Sequence, residues 1–95
     1  MKITFSARHF DATEKLKDFT SEELKRLKKY HDNVMNVEVV LEESGSTKAA
    51  EIRVKIQGKF ITSKAEDTDF YKMIPKVVDK LETQMRHLKD KANNR

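Results

Sequence analysis

The chain has 95 residues, which is enough for one small domain and too few for two lobes around a substrate cleft. Lys and Arg number 20 against 16 Asp and Glu, so the net charge is +4, which favours an anionic partner without identifying one. The absence of cysteine excludes disulfides and thiolate metal sites, and no apolar run approaches the roughly 18 residues of a membrane helix. We therefore expect one cytoplasmic domain over residues 1–95, with residues 92–95 as a frayed tail.

The first elements are a strand and a basic helix. Residues 2–8 predict a half-buried strand, because Ile3 and Phe5 alternate with polar residues. Thr13 is an expected N-cap for the helix that follows. Apolar residues then recur on one helical face at Leu16, Phe19, Leu24, Leu27 and Tyr30. The second half of this helix carries four cations and no acid: Lys25, Arg26, Lys28 and Lys29.

The middle of the chain changes to a period of two, which predicts three strands. Residues 34–43 form the first of these, residues 44–48 the turn, and the apolar positions of the next strand are Ala50, Ile52, Val54 and Ile56. Gly58 marks a second tight connection. In the last strand we expect Ile61, Ser63 and Ala65 to face inward and Phe60, Thr62 and Lys64 to face outward.

Residues 69–91 predict the core helix. Its apolar stripe consists of Phe70, Ile74, Val77, Val78, Leu81, Met85 and Leu88. Any of Asp67, Thr68 and Asp69 could cap it, and Pro75 predicts a kink or a helix that restarts near Ile74. A second row, beside the apolar stripe, contains Lys80, Gln84, His87 and Lys91.

This order of elements predicts an α+β fold, a two-layer β-α-β-β-β-α sandwich. The first strand and helix return to the sheet by a crossover, so the first two strands are parallel and the others form an antiparallel meander. The four-stranded mixed sheet then has both helices on one face. We expect a groove between the helices that is lined by basic residues of both.

Enzymatic chemistry has little support. His9, His31 and His87 are scattered without ligand spacing, and no nucleophile or phosphate-loop motif occurs. Adjacent carboxylates such as Glu22 and Glu23 point apart on a helix. We predict no catalytic residue, no metal, no cofactor and no small-molecule substrate.

Basic helices suit binding to a phosphate backbone, although solvated lysines at helix ends are also common. A-form RNA is recognised through its shape, phosphates and 2′-hydroxyls, which an extended basic surface can contact. Few aromatic residues are expected on the surface, which disfavours stacking on single-stranded bases.

Five segments of the sequence resemble one protein family. They are TEKLKDF (13–19), LKRLKKYHD (24–32), VEVVLEE (37–43), AEDTDFYKMI (65–74) and VVDKLETQMRHLKDK (77–91). Their order is similar to that of the ribosome hibernation promoting factor family, which includes the ribosome-associated translation inhibitors. The resemblance covers nearly the whole chain, which stops at Arg95 and so resembles a short form or the first domain of a long form.

The resemblance implies a domain that binds the small ribosomal subunit and its RNA in the channel for messenger and transfer RNA, and blocks translation by occupancy. We also expect no membrane association and a monomer away from the ribosome. The RNA-binding positions that it implies are Lys25, Arg26, Lys28, Lys29, Lys80, Arg86, His87, Lys89 and Lys91. Thr83, where relatives often place arginine, and Pro75 depart from the family pattern.

Two other functions remain open from the residues. The outward sheet face, with Val40, Phe60 and Thr62, could dock a protein partner or serve in transcriptional regulation. Alternatively, the chain could bind free double-stranded RNA through its helices.

Overall fold

The elements follow the predicted order β-α-β-β-β-α in the computed structural model, which describes residues 1–29, 34–56 and 58–93. The strands are β1 (Lys2–Arg8), β2 (Val34–Ser44), β3 (Thr47–Ile56) and β4 (Lys59–Asp67). The helices are α1 (Glu14–Leu24), which continues as a 3₁₀ segment over Lys25–Lys29, and α2 (Phe70–Asn93). The predicted two-layer fold is confirmed.

The sheet has the order β1-β2-β3-β4, with β1 and β2 parallel and the other neighbours antiparallel. Its helix-side face carries the predicted apolar positions, which lie opposite one another across the strands, as in the row Phe5, Val39, Ile52 and Ser63. The β2–β3 turn is tighter than the sequence predicts. Ser44 pairs with Thr47, and Gly45 has a φ of 61°, as the first central position of a type II′ hairpin requires.

The first helix begins as predicted, because the Thr13 hydroxyl accepts a hydrogen bond from the Leu16 amide at 3.1 Å. The prediction of one continuous helix is wrong, since the chain tightens into the 3₁₀ segment after Leu24. Three residues per turn keep Leu24 and Leu27, both fully buried, on one side. Tyr30 and His31 lie outside the described residues.

Helix α2 runs through Pro75 without interruption, so the predicted restart near Ile74 is wrong. The proline lies close to the helix start and removes only the bond to the carbonyl of Tyr71, which is an exposed residue. Asp69 provides the cap, because its carboxylate accepts from the Tyr71 amide at 2.8 Å. The predicted stripe is buried, with Leu88 partly so, and Met73 joins it.

Candidate nucleic-acid interface

The two helices run parallel, which brings their basic ends together. Phe19 of α1 packs edge to face on Tyr71 at the start of α2, with ring centroids 5.1 Å apart. Later in each helix, Arg26 contacts Asp79 and Glu82. The 3₁₀ segment therefore lies beside the second half of α2, and the C-terminal ends of both helices point to the end of the sheet where β1 and β2 begin.

The 3₁₀ segment buries one apolar side chain and exposes three lysines. Leu27 is fully buried, whereas Lys25, Lys28 and Lys29 are exposed. The Nζ atom of Lys25 lies 2.8 Å from Glu22 Oε1, but 59% of the lysine side chain remains exposed. Since an exposed ion pair of this kind contributes little to stability, Lys25 can leave the Glu22 carboxylate and bind a phosphate at little cost in free energy.

Arg26 and Lys29 converge on acids of α2. The guanidinium of Arg26 donates to Asp79 and Glu82 and lies 3.2 Å from Glu23 Oε1, while Lys29 Nζ lies 3.5 Å from Glu82 Oε2. The Glu82 side chain is only 6% exposed. These contacts join the 3₁₀ segment to α2, because a buried carboxylate must retain its cations.

The hydrogen bond to Asp79 is the main reason why the pKa of Arg26 is raised above its ordinary value. The contact with Glu82 raises the pKa further, against the opposite effect of burial. Arg26 is therefore a permanent cation whose charge is largely balanced within the protein.

Lys80 and Gln84 lie on the other side of α2, over the edge strand β4. Lys80 Nζ donates to the Lys64 carbonyl at 3.1 Å, and Gln84 Nε2 donates to the Thr62 carbonyl at 3.0 Å. Lys80 and Gln84 therefore face β4 rather than the groove between the helices, which was expected to be lined by basic residues of both. The side of α2 that faces the 3₁₀ segment presents Asp79 and Glu82 instead.

The remaining cations of the predicted RNA-binding set lie further along α2. Arg86 and His87 are exposed one turn beyond Glu82. Lys89 and Lys91 belong to the same helix, but their side chains lie outside the described residues. The structure thus gathers the 3₁₀ cations and Arg86 at one end of the helix pair, and places Lys80 on the flank next to β4.

The contacts of Asp79 and Glu82 with the basic residues of the 3₁₀ segment were not predicted from the sequence. Their signal was present, because Asp79 and Glu82 are spaced by three residues, as are Arg26 and Lys29. Glu82 also borders the apolar stripe, where a carboxylate needs a cation from a neighbouring element.

Within the described ranges, no group of three or more His, Asp or Glu residues is arranged to hold a metal ion. No described helix is long and apolar enough to cross a membrane.

Residues 3–93 match the family model described as sigma 54 modulation protein / S30EA ribosomal protein. The ribosome hibernation promoting factor of Pseudomonas putida is 30% identical over 94 residues, which cover 99% of this chain and 92% of that protein. The protein of the same name from Escherichia coli is 30% identical over 91 residues, which cover 96% of each.

Two solved structures share the fold. The crystal structure of the Thermus thermophilus Protein Y N-terminal domain is similar at a TM-score of 0.84 and 32% identity, covering 93% of this chain and 99% of that one. A ribosomal subunit interface protein from Coxiella burnetii is similar at a TM-score of 0.88 and 28% identity, covering 95% of this chain and 99% of that one.

Proposed function

The chain belongs to the sigma 54 modulation protein / S30EA ribosomal protein family, and we propose on this premise that it is a ribosome-associated inhibitor of translation. Its relatives named ribosome hibernation promoting factor cover nearly the whole chain, which supports a role in ribosome hibernation. Such a role is exercised by binding rather than by chemistry, so the protein is not an enzyme. Its place of action is the cytoplasm, where ribosomes are found.

We propose further that it binds the small subunit as a monomer and occupies the channel for messenger and transfer RNA. One observation carries this proposal, namely the parallel helices that bring two basic segments to the same end. The proposed RNA-binding residues are Lys25, Arg26, Lys28, Lys29, Lys80, Arg86, His87, Lys89 and Lys91. Ribosomal RNA is the partner that this concentration of cations suits.

The contacts of the free protein divide these residues by how readily they can bind phosphate. Lys25 and Lys28 are exposed at the surface of the 3₁₀ segment, so they can contact RNA without breaking a buried pair. Arg26 must share its donors with Asp79 and Glu82. Its principal contribution is therefore to hold the 3₁₀ segment against α2, so that its neighbours meet the RNA in a fixed arrangement.

Cosedimentation with small ribosomal subunits over a series of salt concentrations tests this proposal. We expect binding to weaken as salt rises, because each contacted phosphate releases counterions. Charge reversal by Lys28→Glu should weaken binding strongly, and Lys80→Glu should also weaken it. Binding that is insensitive to salt and to both variants would refute the proposed interface.

Lys72→Glu is a matched control. Lys72 is an exposed lysine of α2 in its first turn, at the opposite end of the helix from Arg86. The variant changes the net charge by the same amount as Lys28→Glu, so a general loss of positive charge would weaken the binding of both variants equally.

Similar affinity for an isolated RNA duplex and for the subunit would instead assign the chain to free double-stranded RNA.

A further inference from the structure

The sheet face opposite the helices carries an exposed aromatic ring among basic residues. Phe60 is 55% exposed, more than Met1 at 41% or Tyr71 at 39%, the other large apolar residues exposed within the described ranges. Burial does not account for a phenylalanine at this position. Its ring is available for an external contact.

The strand register defines what surrounds Phe60. One row across the sheet is Lys2, Asn36, Lys55 and Phe60, and the next row on the same face is Thr4, Glu38, Arg53 and Thr62. These two rows contain three cations and one carboxylate. The following two rows contain the acids Glu42, Glu51 and Glu66 against Arg8 and Lys64, so positive charge is concentrated around Phe60.

Two of the cations are in contact with the ring itself. The guanidinium carbon of Arg53 lies 4.8 Å from the Phe60 ring centroid, and Lys55 Nζ lies 5.9 Å from it. Glu38 Oε2 lies 3.6 Å from Arg53 Nη1, in a pair whose side chains are 54% and 42% exposed. Since this pair is solvated, the carboxylate does not prevent Arg53 from binding an anion.

We propose that Lys2, Arg53, Lys55 and Phe60, the Phe60 patch, bind a segment of single-stranded RNA. A base stacks on the Phe60 ring beside the planar guanidinium of Arg53, and Lys55 and Lys2 contact the neighbouring phosphates. Aromatic rings and guanidinium planes are the groups on which unpaired bases stack, and cations beside them follow the backbone.

Charge complementarity favours RNA over a protein as the occupant. A stable protein interface has a buried apolar core, whereas Phe60 stands among charged and polar neighbours and Val40, two rows away, is half-buried. The patch also lies at the end of the sheet towards which both basic helix ends point, so a polyanion meets positive charge on both faces of this end.

The Phe60 patch lies on the sheet face opposite the helices proposed to bind the ribosome, so it can be tested separately with the full chain and free RNA. Backbone amide shifts are followed by NMR while a short oligouridine, or an RNA duplex of the same length, is added. We expect oligouridine to shift resonances centred on Arg53, Lys55 and Phe60. Shifts confined to the 3₁₀ segment and the end of α2 would overturn the proposal.

Affinity measurements on variants provide the second arm. Phe60→Leu keeps an apolar side chain without a stacking ring and should weaken oligouridine binding at least about fivefold, while Phe60→Trp should restore it. Lys55→Ala should also weaken binding, and Lys64→Ala, on the same face but in another row, should not. Duplex binding should be unchanged by Phe60→Leu.

Equal oligouridine affinity of wild type and Phe60→Leu would refute the stacking. Shifts at Phe60 that depend on protein concentration, without a response to RNA, would assign the face to a protein contact and would also refute the proposal.

Discussion

Arg26 of the 3₁₀ segment donates a hydrogen bond to Glu82 of α2, which lies 56 positions further along the chain. The Glu82 carboxylate is almost fully enclosed, whereas a third of the Arg26 side chain is exposed. The pair fixes the 3₁₀ segment on α2, and therefore sets the spacing between the two basic segments proposed to meet RNA. This contact therefore contributes both to the stability of the fold and to the proposed RNA binding.

Glu82→Gln should lower the free energy of unfolding by about 1–3 kcal/mol, because a neutral amide replaces the buried carboxylate that pairs with Arg26 and Lys29. Urea unfolding measures this loss. Asp79→Asn is the control, since the Asp79 side chain is 64% exposed, and it should cost less than about 1 kcal/mol. Equal losses in the two variants would show that burial of Glu82 does not determine the strength of the contact.

Leu81 and Lys80 are adjacent in sequence and differ in role. Leu81 is fully buried, so Leu81→Ala should cost about 2–5 kcal/mol of stability by creating a cavity. Lys80→Ala should leave thermal stability nearly unchanged, because it removes one exposed hydrogen bond to the Lys64 carbonyl. It should weaken ribosome binding. Thermal melts with the opposite ranking would contradict this assignment of the two faces.

Local periodicity was sufficient to predict which sheet positions are buried. Ala50, Ile52, Val54 and Ile56 alternate with charged residues, and all four are buried. Alternation reports burial directly, because successive strand residues point to opposite faces. The Thr13 cap is likewise a local signal, confirmed by its bond to the Leu16 amide.

The arrangement around the basic residues depends on non-local geometry, so the sequence did not predict it. Helical spacing placed Lys80 and Gln84 beside the apolar stripe, but it could not say which side faces the edge strand β4. Arg26 has the sequence context of a solvated cation, and its acidic partners belong to another helix. Whether Arg26 contacts these acids depends on the position of α2 along the axis of α1, which no local sequence pattern encodes.

Ser63→Ala should raise stability by about 1 kcal/mol. Ser63 is 5% exposed, and its hydroxyl has no hydrogen-bond partner within the described part of the structure. Removing a buried, unsatisfied hydroxyl recovers its desolvation cost while the methyl group of alanine stays in the core. Urea unfolding measures the gain, with the exposed Thr62→Ala on the other face of β4 as control. A loss of stability in Ser63→Ala would show that the hydroxyl is satisfied in solution.

The carboxyl of Asp67, at the end of β4, should titrate below its ordinary pKa of 3.8. The main cause is the hydrogen bond from the Thr68 amide, at 2.6 Å, and the positive charge of Lys76 adds to it. Because the folded pKa is lowered, the contribution of Asp67 to stability is present above pH 3.8 and is lost as the pH falls through the lower folded value. Carboxyl carbon chemical shifts followed by NMR during an acid titration measure the midpoint.

The same titration in Lys76→Gln separates the two causes. The midpoint should rise only partway towards 3.8, because the Thr68 amide still donates to the carboxylate. A wild-type midpoint at or above 3.8 would contradict the hydrogen bond as the cause. Complete recovery of a midpoint of 3.8 in Lys76→Gln would instead make the charge of Lys76 the dominant influence on the pKa of Asp67. The interaction that holds the turn leading into α2 would then weaken as the salt concentration rises, because salt screens the lysine charge.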